Sequence, residues 1–405
     1  MKKIYTIIAF LIISKLATSQ VLTSEDSLSA GLTPSNNQTV ISGYGQAKVN
    51  YDVRFGTGEA SLTRNVMFFG HKFNDKFGFF SETEIEHSKV ANGAQGEISM
   101  EQLFLKTNLN REMYLVTGLF IPRIGIINEN HLPTTFNGND RPFVEELIIP
   151  STWREIGVGL YGQTRLIPGL NYSLAIMNGL KASNFTNGSG IREGRQEGSF
   201  ATASNIAISG SLLYYYKNFR IQTSGYFGGS SGISKRDADS LQMDYGLFGS
   251  PVTLVEANIQ YHHKGIQFKA LATMVNIKDA YKINRAYNNN TPTEMMGFYV
   301  EAGYNLLYLF NKKTTQNFTV FARYEQLDLN SVLPENGVKD DFQKKEYLIT
   351  GITYQPVKGI AFKADYVNAY TGDYNKQLYV TNPFQTVLPF YRSSSFVNIG
   401  IAYSF

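Results

Sequence analysis

The stretch from Pro122 to Glu155 gathers the most chemically suggestive side chains of the chain. Arg123, Arg141 and Arg154 alternate with Asp140, Glu145, Glu146 and Glu155, and His131 stands among them. Charges of both signs at this density suit acid–base work, or they set the electric field of a narrow aqueous passage. The catalytic reading needs a nucleophile with a base beside it, or metal ligands at fixed spacing. Five histidines occur, at 71, 87, 131, 262 and 263. No two stand at His-x-x-x-His spacing, and no Asp-rich calcium loop occurs. His262 and His263 are adjacent, so on a strand they point to opposite faces. No catalytic residue, metal ligand, cofactor or nucleophile elbow is therefore expected, and the charges are read as lining a passage.

The segment itself suggests an ordered connection. It holds four of the twelve prolines and the only tryptophan, Trp153. Pro142 before Val144-Glu-Glu-Leu147 suits one short helical turn. Leu147-Ile-Ile149 and Trp153 need a dry surface, so the segment is expected to fold inward against a wall. The competing reading is an outer cap held by internal Arg–Glu pairs.

The wall is legible in the period of the flanking segments. In Val255-Glu-Ala-Asn-Ile-Gln-Tyr-His262, apolar Val255, Ala257, Ile259 and Tyr261 alternate with Glu256, Asn258, Gln260 and His262. A period of two sends alternate side chains to opposite faces of a strand. The same alternation gives about sixteen strands, at 38–51, 60–72, 77–88, 98–109, 113–121, 156–166, 170–178 and 206–216, then 219–227, 253–263, 266–276, 296–309, 317–329, 346–355, 359–368 and 394–405. Connections between them alternate between tight polar turns and long loops. That is the layout of a transmembrane antiparallel up-and-down β-barrel, with the long loop after the fifth strand folded inward. Eighteen strands is the alternative, with a further strand hidden between 228 and 252. About sixteen strands enclose an interior too wide for side chains to fill.

Composition agrees. The chain carries 26 Tyr, 28 Phe and 36 Gly in 405 residues and no Cys. Aromatic residues form strands and interfacial girdles. A mean hydropathy of −0.20 fits strands with one wet face and argues against a helical membrane protein.

Lys2 and Lys3, the apolar run Ile4–Ile13 and the small-residue site Ala17-Thr-Ser19 have the order of a secretory leader. Residues 1–19 are taken as a signal peptide, 20–37 as a polar periplasmic or lumenal lead-in and 38–405 as the barrel. Removing the leader takes three lysines and no acidic residue from a chain with 37 basic and 33 acidic residues. The remainder is close to neutral and makes no case for nucleic acid. The absence of Cys excludes lipoprotein processing and disulfides.

The final strand, Ser395-Phe-Val-Asn-Ile-Gly-Ile-Ala-Tyr-Ser-Phe405, ends the chain on an aromatic residue. It resembles the C-terminal strand of bacterial outer-membrane barrels, which implies that Tyr403 and Phe405 form the signal read by the barrel assembly machinery. Arg141-Pro-Phe-Val-Glu-Glu-Leu-Ile-Ile-Pro-Ser-Thr-Trp-Arg-Glu-Ile-Gly-Val-Gly-Leu-Tyr-Gly162 resembles the porin O and P family, the phosphate-selective porin type of the Bacteroidota. Phe321-Ala-Arg-Tyr-Glu325 with Asp328 resembles a late strand of the same family. The resemblance implies a sixteen-stranded homotrimeric porin of the bacterial outer membrane, in contact with its lipid, passing small hydrophilic solutes or ions with an anion or phosphate preference. Members that fit the phosphate label carry a ladder of arginines and a ring of lysines. Here alternation sends Lys48, Lys106, Arg220, Lys269, Arg323 and Lys363 to the lumen, but also Glu82, Glu84, Glu86, Glu256, Glu301, Glu325 and Asp365. No single-sign track results. Lys269, Arg323 and Lys363 join the loop charges as candidate pore-lining residues. A non-conducting structural subunit of an outer-membrane complex and a barrel hydrolase are the alternatives.

Deleting Phe405 is expected to slow insertion and leave chain in the periplasm, measured as loss of the heat-modifiable folded form. A normal yield of folded barrel would show that the terminal residue is not the signal.

Overall fold

The computed structural model describes residues 39–90, 96–375 and 391–405. The expected leader (1–19) and lead-in (20–37) lie outside the described residues. Within them, sixteen strands form one antiparallel sheet that closes on itself. The first eight are β1 (Thr39–Asp52), β2 (Thr57–Lys72), β3 (Phe77–Glu86), β4 (Glu97–Asn108), β5 (Met113–Phe120), β6 (Glu155–Gln163), β7 (Leu170–Asn178) and β8 (Ile206–Tyr216). Then follow β9 (Phe219–Gly228), β10 (Val252–His263), β11 (Ile266–Ile277), β12 (Glu294–Asn305), β13 (Asn317–Val332), β14 (Lys344–Val357), β15 (Ile360–Thr371) and β16 (Ser393–Ser404). Each strand pairs with its neighbours in sequence. β1 closes the ring on β16, from Tyr44 opposite Ser404 to Asp52 opposite Phe396.

The period-two reading holds on both faces. On β16, Ile399 and Ile401 point outward, while Asn398 and Ala402 are buried. On β10, Val255 points outward while Glu256 and Asn258 are buried. The outer face thus carries a continuous apolar belt, which a water-soluble protein would have to cover. In a bilayer that belt faces lipid, and the charged and amide side chains face the lumen.

Among the described residues four register shifts interrupt the sheet, and two of them, on β2 and β4, bear on the lumen. Gln46 pairs with Arg64 but Ala47 with Leu62, so Thr63 is an extra residue on β2. Glu82 pairs with Gln102 but Thr83 with Met100, so Glu101 is an extra residue on β4. A bulge of this kind bends its strand and redirects the side chain at it.

The sheet closes with sixteen strands, as expected, and the eighteen-strand alternative is not met. Some details differ from the expected spans. The segment between β9 and β10 forms a short helix, Lys235–Leu241, capped by Ser234, whose hydroxyl accepts from Asp237 N at 3.1 Å. The expected strand 296–309 stops at Asn305, whose side-chain oxygen accepts from Leu307 N and Phe318 N and draws the chain into a helical turn, Leu307–Phe310. The first connection on the long-loop side, between β1 and β2, is also tight. Asp52 accepts from the amides of Arg54 and Phe55 at 2.8 and 3.0 Å, and Gly56 takes φ +65°.

Ile399→Arg places a charge in the lipid belt near mid-strand and is expected to cost roughly 2–4 kcal/mol. Ser61→Arg, on the lumen side, is expected to cost much less. Denaturant titrations of barrels folded into vesicles make the comparison, and equal losses would reverse the assignment of the two faces.

Candidate functional site

The connection between β5 and β6 crosses the lumen and touches the wall on most sides. Its apolar part docks first. Ile124, Ile148, Ile149 and Trp153 are fully buried in one cluster with wall residues such as Leu254, Leu271, Met295 and Leu327. Trp153 lies 4.6 Å from Tyr226, centroid to centroid. Pro142 precedes a single helical turn, Phe143–Leu147. Phe143 stacks on Tyr347 at 4.1 Å.

The rest of the loop has no regular structure, and wall side chains meet its backbone. Lys363 Nζ donates to Gly138 O at 2.8 Å. Arg323 donates to Asn137 O at 3.4 Å and to Asp140 O at 3.1 Å. Gln46 donates to Asn139 O at 2.6 Å and Gln222 to Gly125 O at 3.0 Å. In the opposite sense, Asp365 accepts from Asn139 N at 2.8 Å and Glu325 from Val144 N at 3.0 Å. At Gly400 a Cβ would stand 2.1 Å from Asn139 Oδ1, so that position on β16 has room only for glycine.

The sequence-derived residues divide by environment. Glu145 is fully buried and accepts from Ile126 N and Ile127 N at 2.7 Å and from Tyr299 Oη at 2.7 Å. Burial pushes its carboxyl above the ordinary carboxylate range, against those hydrogen bonds. Glu155 accepts from Trp153 Nε1 at 3.3 Å, Asn178 Nδ2 at 2.6 Å and Gln196 N at 3.2 Å. Arg123 pairs with Glu129 at 3.2 Å, and Arg154 with Glu197 at 3.1 Å. Arg323 bridges Glu301 at 3.2 Å and Glu325 at 2.8 Å. Lys363 also lies 4.0 Å above the Phe136 ring. Most of these hold loop to wall or loop to loop, and the Arg323 bridges join β12 to β13 and set the wall side chains that meet the loop.

Others differ in their exposure. Asp140 pairs with Lys48, and both side chains retain about a quarter of their exposure (27% and 21%). Arg64 pairs with Glu84 at 3.5 Å. Arg141 stands near Arg64 and Glu101, and burial, then the charge of Arg64, holds its guanidinium below the ordinary value. Glu146 lies 3.8 Å from Arg192. Lys269, 3.9 Å from Glu301, faces a cavity of about 1050 Å³ at the tight-turn end, which is also lined by Tyr44, Glu82, Arg220 and Gln355.

Sequence reasoning missed two features. The connection 179–205 braces the first loop from outside. Arg192 donates to the carbonyls of Glu146 and Ser151, and Arg195 to Thr152 O at 3.0 Å. No periodicity marks such contacts. The second feature is the surroundings of His131. Its Nε2 lies 3.6 Å from Glu82 Oε1 and 3.7 Å from Glu101 Oε2, and all three residues are buried. Alternation places Glu101 on the lipid face beside Leu103 and Leu105. The bulge on β4 turns it inward.

The hydrolase alternative finds little geometry. Gly228-Gly-Ser-Ser-Gly232 does have the spacing of a nucleophile elbow, contrary to the expectation that none occurs. Ser230, however, is fully buried and donates to Ser250 O at 2.6 Å, in an open connection between β9 and the helix Lys235–Leu241 rather than at a tight turn that exposes its hydroxyl. Ser61 Oγ lies 2.9 Å from His87 Nδ1. Among the described residues no carboxylate or amide orients that ring from its other side, as a triad requires.

Comparison with known proteins places this architecture. No family model matches the chain. A protein of Aquifex aeolicus (strain VF5), described only as uncharacterised, is 31% identical over 343 residues, which is 81% of this chain and 74% of the relative. The two chains belong to one family. Solved structures extend the likeness of fold beyond that family. The Salmonella typhi OmpF complex with daunomycin matches at TM-score 0.53 and 12% identity, covering 91% of this chain and 98% of that one. The outer membrane channel DcaP of Acinetobacter baumannii matches at 0.52 and 13%, covering 91% and 97%. The anion-selective porin from Comamonas acidovorans matches at 0.52 and 9%, covering 91% and 99%. At these identities the shared feature is the fold, a closed antiparallel β-barrel.

Removing Arg323 strands two buried carboxylates and two loop carbonyls. Arg323→Met is expected to cost roughly 3–5 kcal/mol in denaturant titrations of the folded barrel. Lys72→Met, which breaks only an exposed pair with Asp75, is expected to cost less than about 1 kcal/mol.

Proposed function

We propose that the chain is a bacterial outer-membrane porin, a passive diffusion channel for small hydrophilic solutes or ions. The observation that carries this reading is the uneven way the loop fills the lumen. Against β9 to β16 it is held by apolar packing and by most of the hydrogen bonds to its backbone, with Gln46 of β1 adding one more. Beside β1 to β3, the charged side chains Lys48, Arg64, Glu86, Asp140 and Arg141 keep partial contact with water. A passage there has charges of both signs at close range. In a confined space of low effective dielectric these act more strongly than charges on a wide wall.

Of the residues singled out in the sequence, Asp140 and Arg141 line this constriction. Glu145, Glu155, Arg123, Arg154, Arg323 and Lys363 set it indirectly by holding the loop. Lys269 faces the wide turn-side mouth, and Glu146 the opposite end. The resemblance of 141–162 to the porin O and P family supports the same reading, and a trimeric assembly is proposed with it. Insertion through the signal at Tyr403 and Phe405 belongs to it as well. The mixed charge supports weak selectivity rather than a phosphate track. The reading includes no catalytic step.

Planar-bilayer recording is the test. The wild-type barrel is expected to give ohmic steps, and deletion of residues 134–146 to enlarge them. Arg141→Glu is expected to move the reversal potential under a salt gradient toward cation selectivity by more than Lys269→Glu does. A silent barrel would exclude the porin reading. A larger effect from Lys269→Glu would move the constriction to the turn-side mouth.

A further inference from the structure

His131 is the loop residue whose surroundings the channel reading does not explain. Both ring nitrogens are buried and have no hydrogen-bond partner among the described residues, and the same is true of Glu82 Oε1. A buried imidazole with both nitrogens unpaired is costly, because each polar atom has lost water without replacement. The neighbours are not apolar, however. His131 Nε2 faces two carboxylate oxygens, Glu82 Oε1 at 3.6 Å and Glu101 Oε2 at 3.7 Å.

Those separations are too long for hydrogen bonds, since an imidazolium between two carboxylates would close to about 2.7–2.9 Å. They are close to the edges of a metal coordination shell. Ligand atoms about 2.1 Å from a tetrahedral ion stand about 3.4 Å from one another. The three ligand atoms all lie within 4.8 Å of one another.

The outer contacts of the carboxylates have the form that a metal site requires. Gln102 Nε2 donates to Glu82 Oε2 at 2.6 Å, leaving Oε1 turned toward His131. Thr152 Oγ1 donates to Glu101 Oε1 at 3.1 Å, and Tyr44 Oη donates to Oε2 at 2.8 Å. Such partners fix the orientation of ligating carboxylates. The bulge at Glu101 turns this side chain inward, next to the inward-facing Gln102. Two carboxylates and a neutral imidazole match the charge of a divalent ion. Arg64 on β2 is paired with Glu84 and also lends positive charge near Glu101. Arg141 lends further positive charge near Glu101, which lowers the affinity without occupying a ligand position. The cavity at the tight-turn end reaches Glu82 and Tyr44 and provides a route in.

We propose that Glu82, Glu101 and His131 bind one divalent transition metal ion of the zinc class, which ties the loop to β3 and β4. Nitrogen and oxygen donors at this spacing suit zinc, whereas calcium takes six or more oxygens. The binding claim stands apart from the channel reading, and only the consequence for conductance rests on it.

The test uses the full mature barrel, purified in detergent, stripped with a chelator and titrated with Zn²⁺ by calorimetry. One ion per chain is expected. His131→Ala and Glu101→Gln, each shown to be folded by heat-modifiable migration, are expected to weaken binding at least about tenfold. A His262→Ala/His263→Ala double variant, which removes the adjacent pair at the rim, is expected to bind as the parent does. No binding by the parent, or undiminished binding by folded His131→Ala, overturns the proposal. Should either ligand variant fail to fold, zinc-edge X-ray absorption on the unaltered barrel decides. One imidazole with oxygens at about 2.0–2.2 Å supports the site, and two imidazoles overturn it. Bound zinc in a barrel that passes no current would refute the porin reading and leave the metal site standing.

Discussion

Inside a bilayer no water reaches the backbone of a strand, so each amide and carbonyl must find its partner within the sheet. The pairing of Tyr44–Asp52 with Phe396–Ser404 meets that constraint. It removes the last free edge and makes a cylinder of what would otherwise be an open, sticky sheet. Everything else follows from the closure. The outward residues can be apolar because lipid covers them, and the inward ones must be polar because the cylinder is too wide for its own side chains to fill.

That width creates a second demand. An irregular loop packed against the inner wall takes its own unpaired backbone groups away from water wherever the two surfaces meet. The mixed charge of the wall answers this. Cationic and amide donors at Lys363, Arg323, Gln46 and Gln222 meet loop carbonyls. Acidic acceptors at Asp365 and Glu325 meet loop amides. Burying such charges is costly, and the bonds to the loop offset the cost on both sides. The near balance of lysine, arginine and carboxylate along these strands is therefore largely a property of the loop they hold. That is why no single-sign track runs through the lumen.

Much of the wall was legible in the sequence, because a half-wet strand writes its two environments as an alternation. β10 and β16 show it residue by residue, and Pro142 with Leu147-Ile-Ile149 announced an inward loop with one helical turn. The failures are equally physical. Asn305 ends β12 by a side-chain bond to the backbone, while the apolar residues after it look like more strand. Glu101 stands where alternation points to lipid, and only its bulge, invisible without the partner strand, turns it inward. His131, Glu82 and Glu101 are brought together by the register of β3 on β4 and by the path of the loop, and neither leaves a spacing in the chain. The bracing of the loop by Arg192 and Arg195 is likewise a matter of tertiary contact alone.

The seat of the loop has a bearing on the order of events. Asn139 rests on Gly400 and Asp365, Asp140 on Lys48, and Thr134 on Ser404 and Gln355. These partners belong to the first strand and to the last three. One of these five partners, Lys48, is thus made early in synthesis and the other four late. The loop, made in between, completes its contacts only when the two ends of the sheet have met. The seam and the constriction are finished in the same act, so a barrel that has not closed has no finished channel.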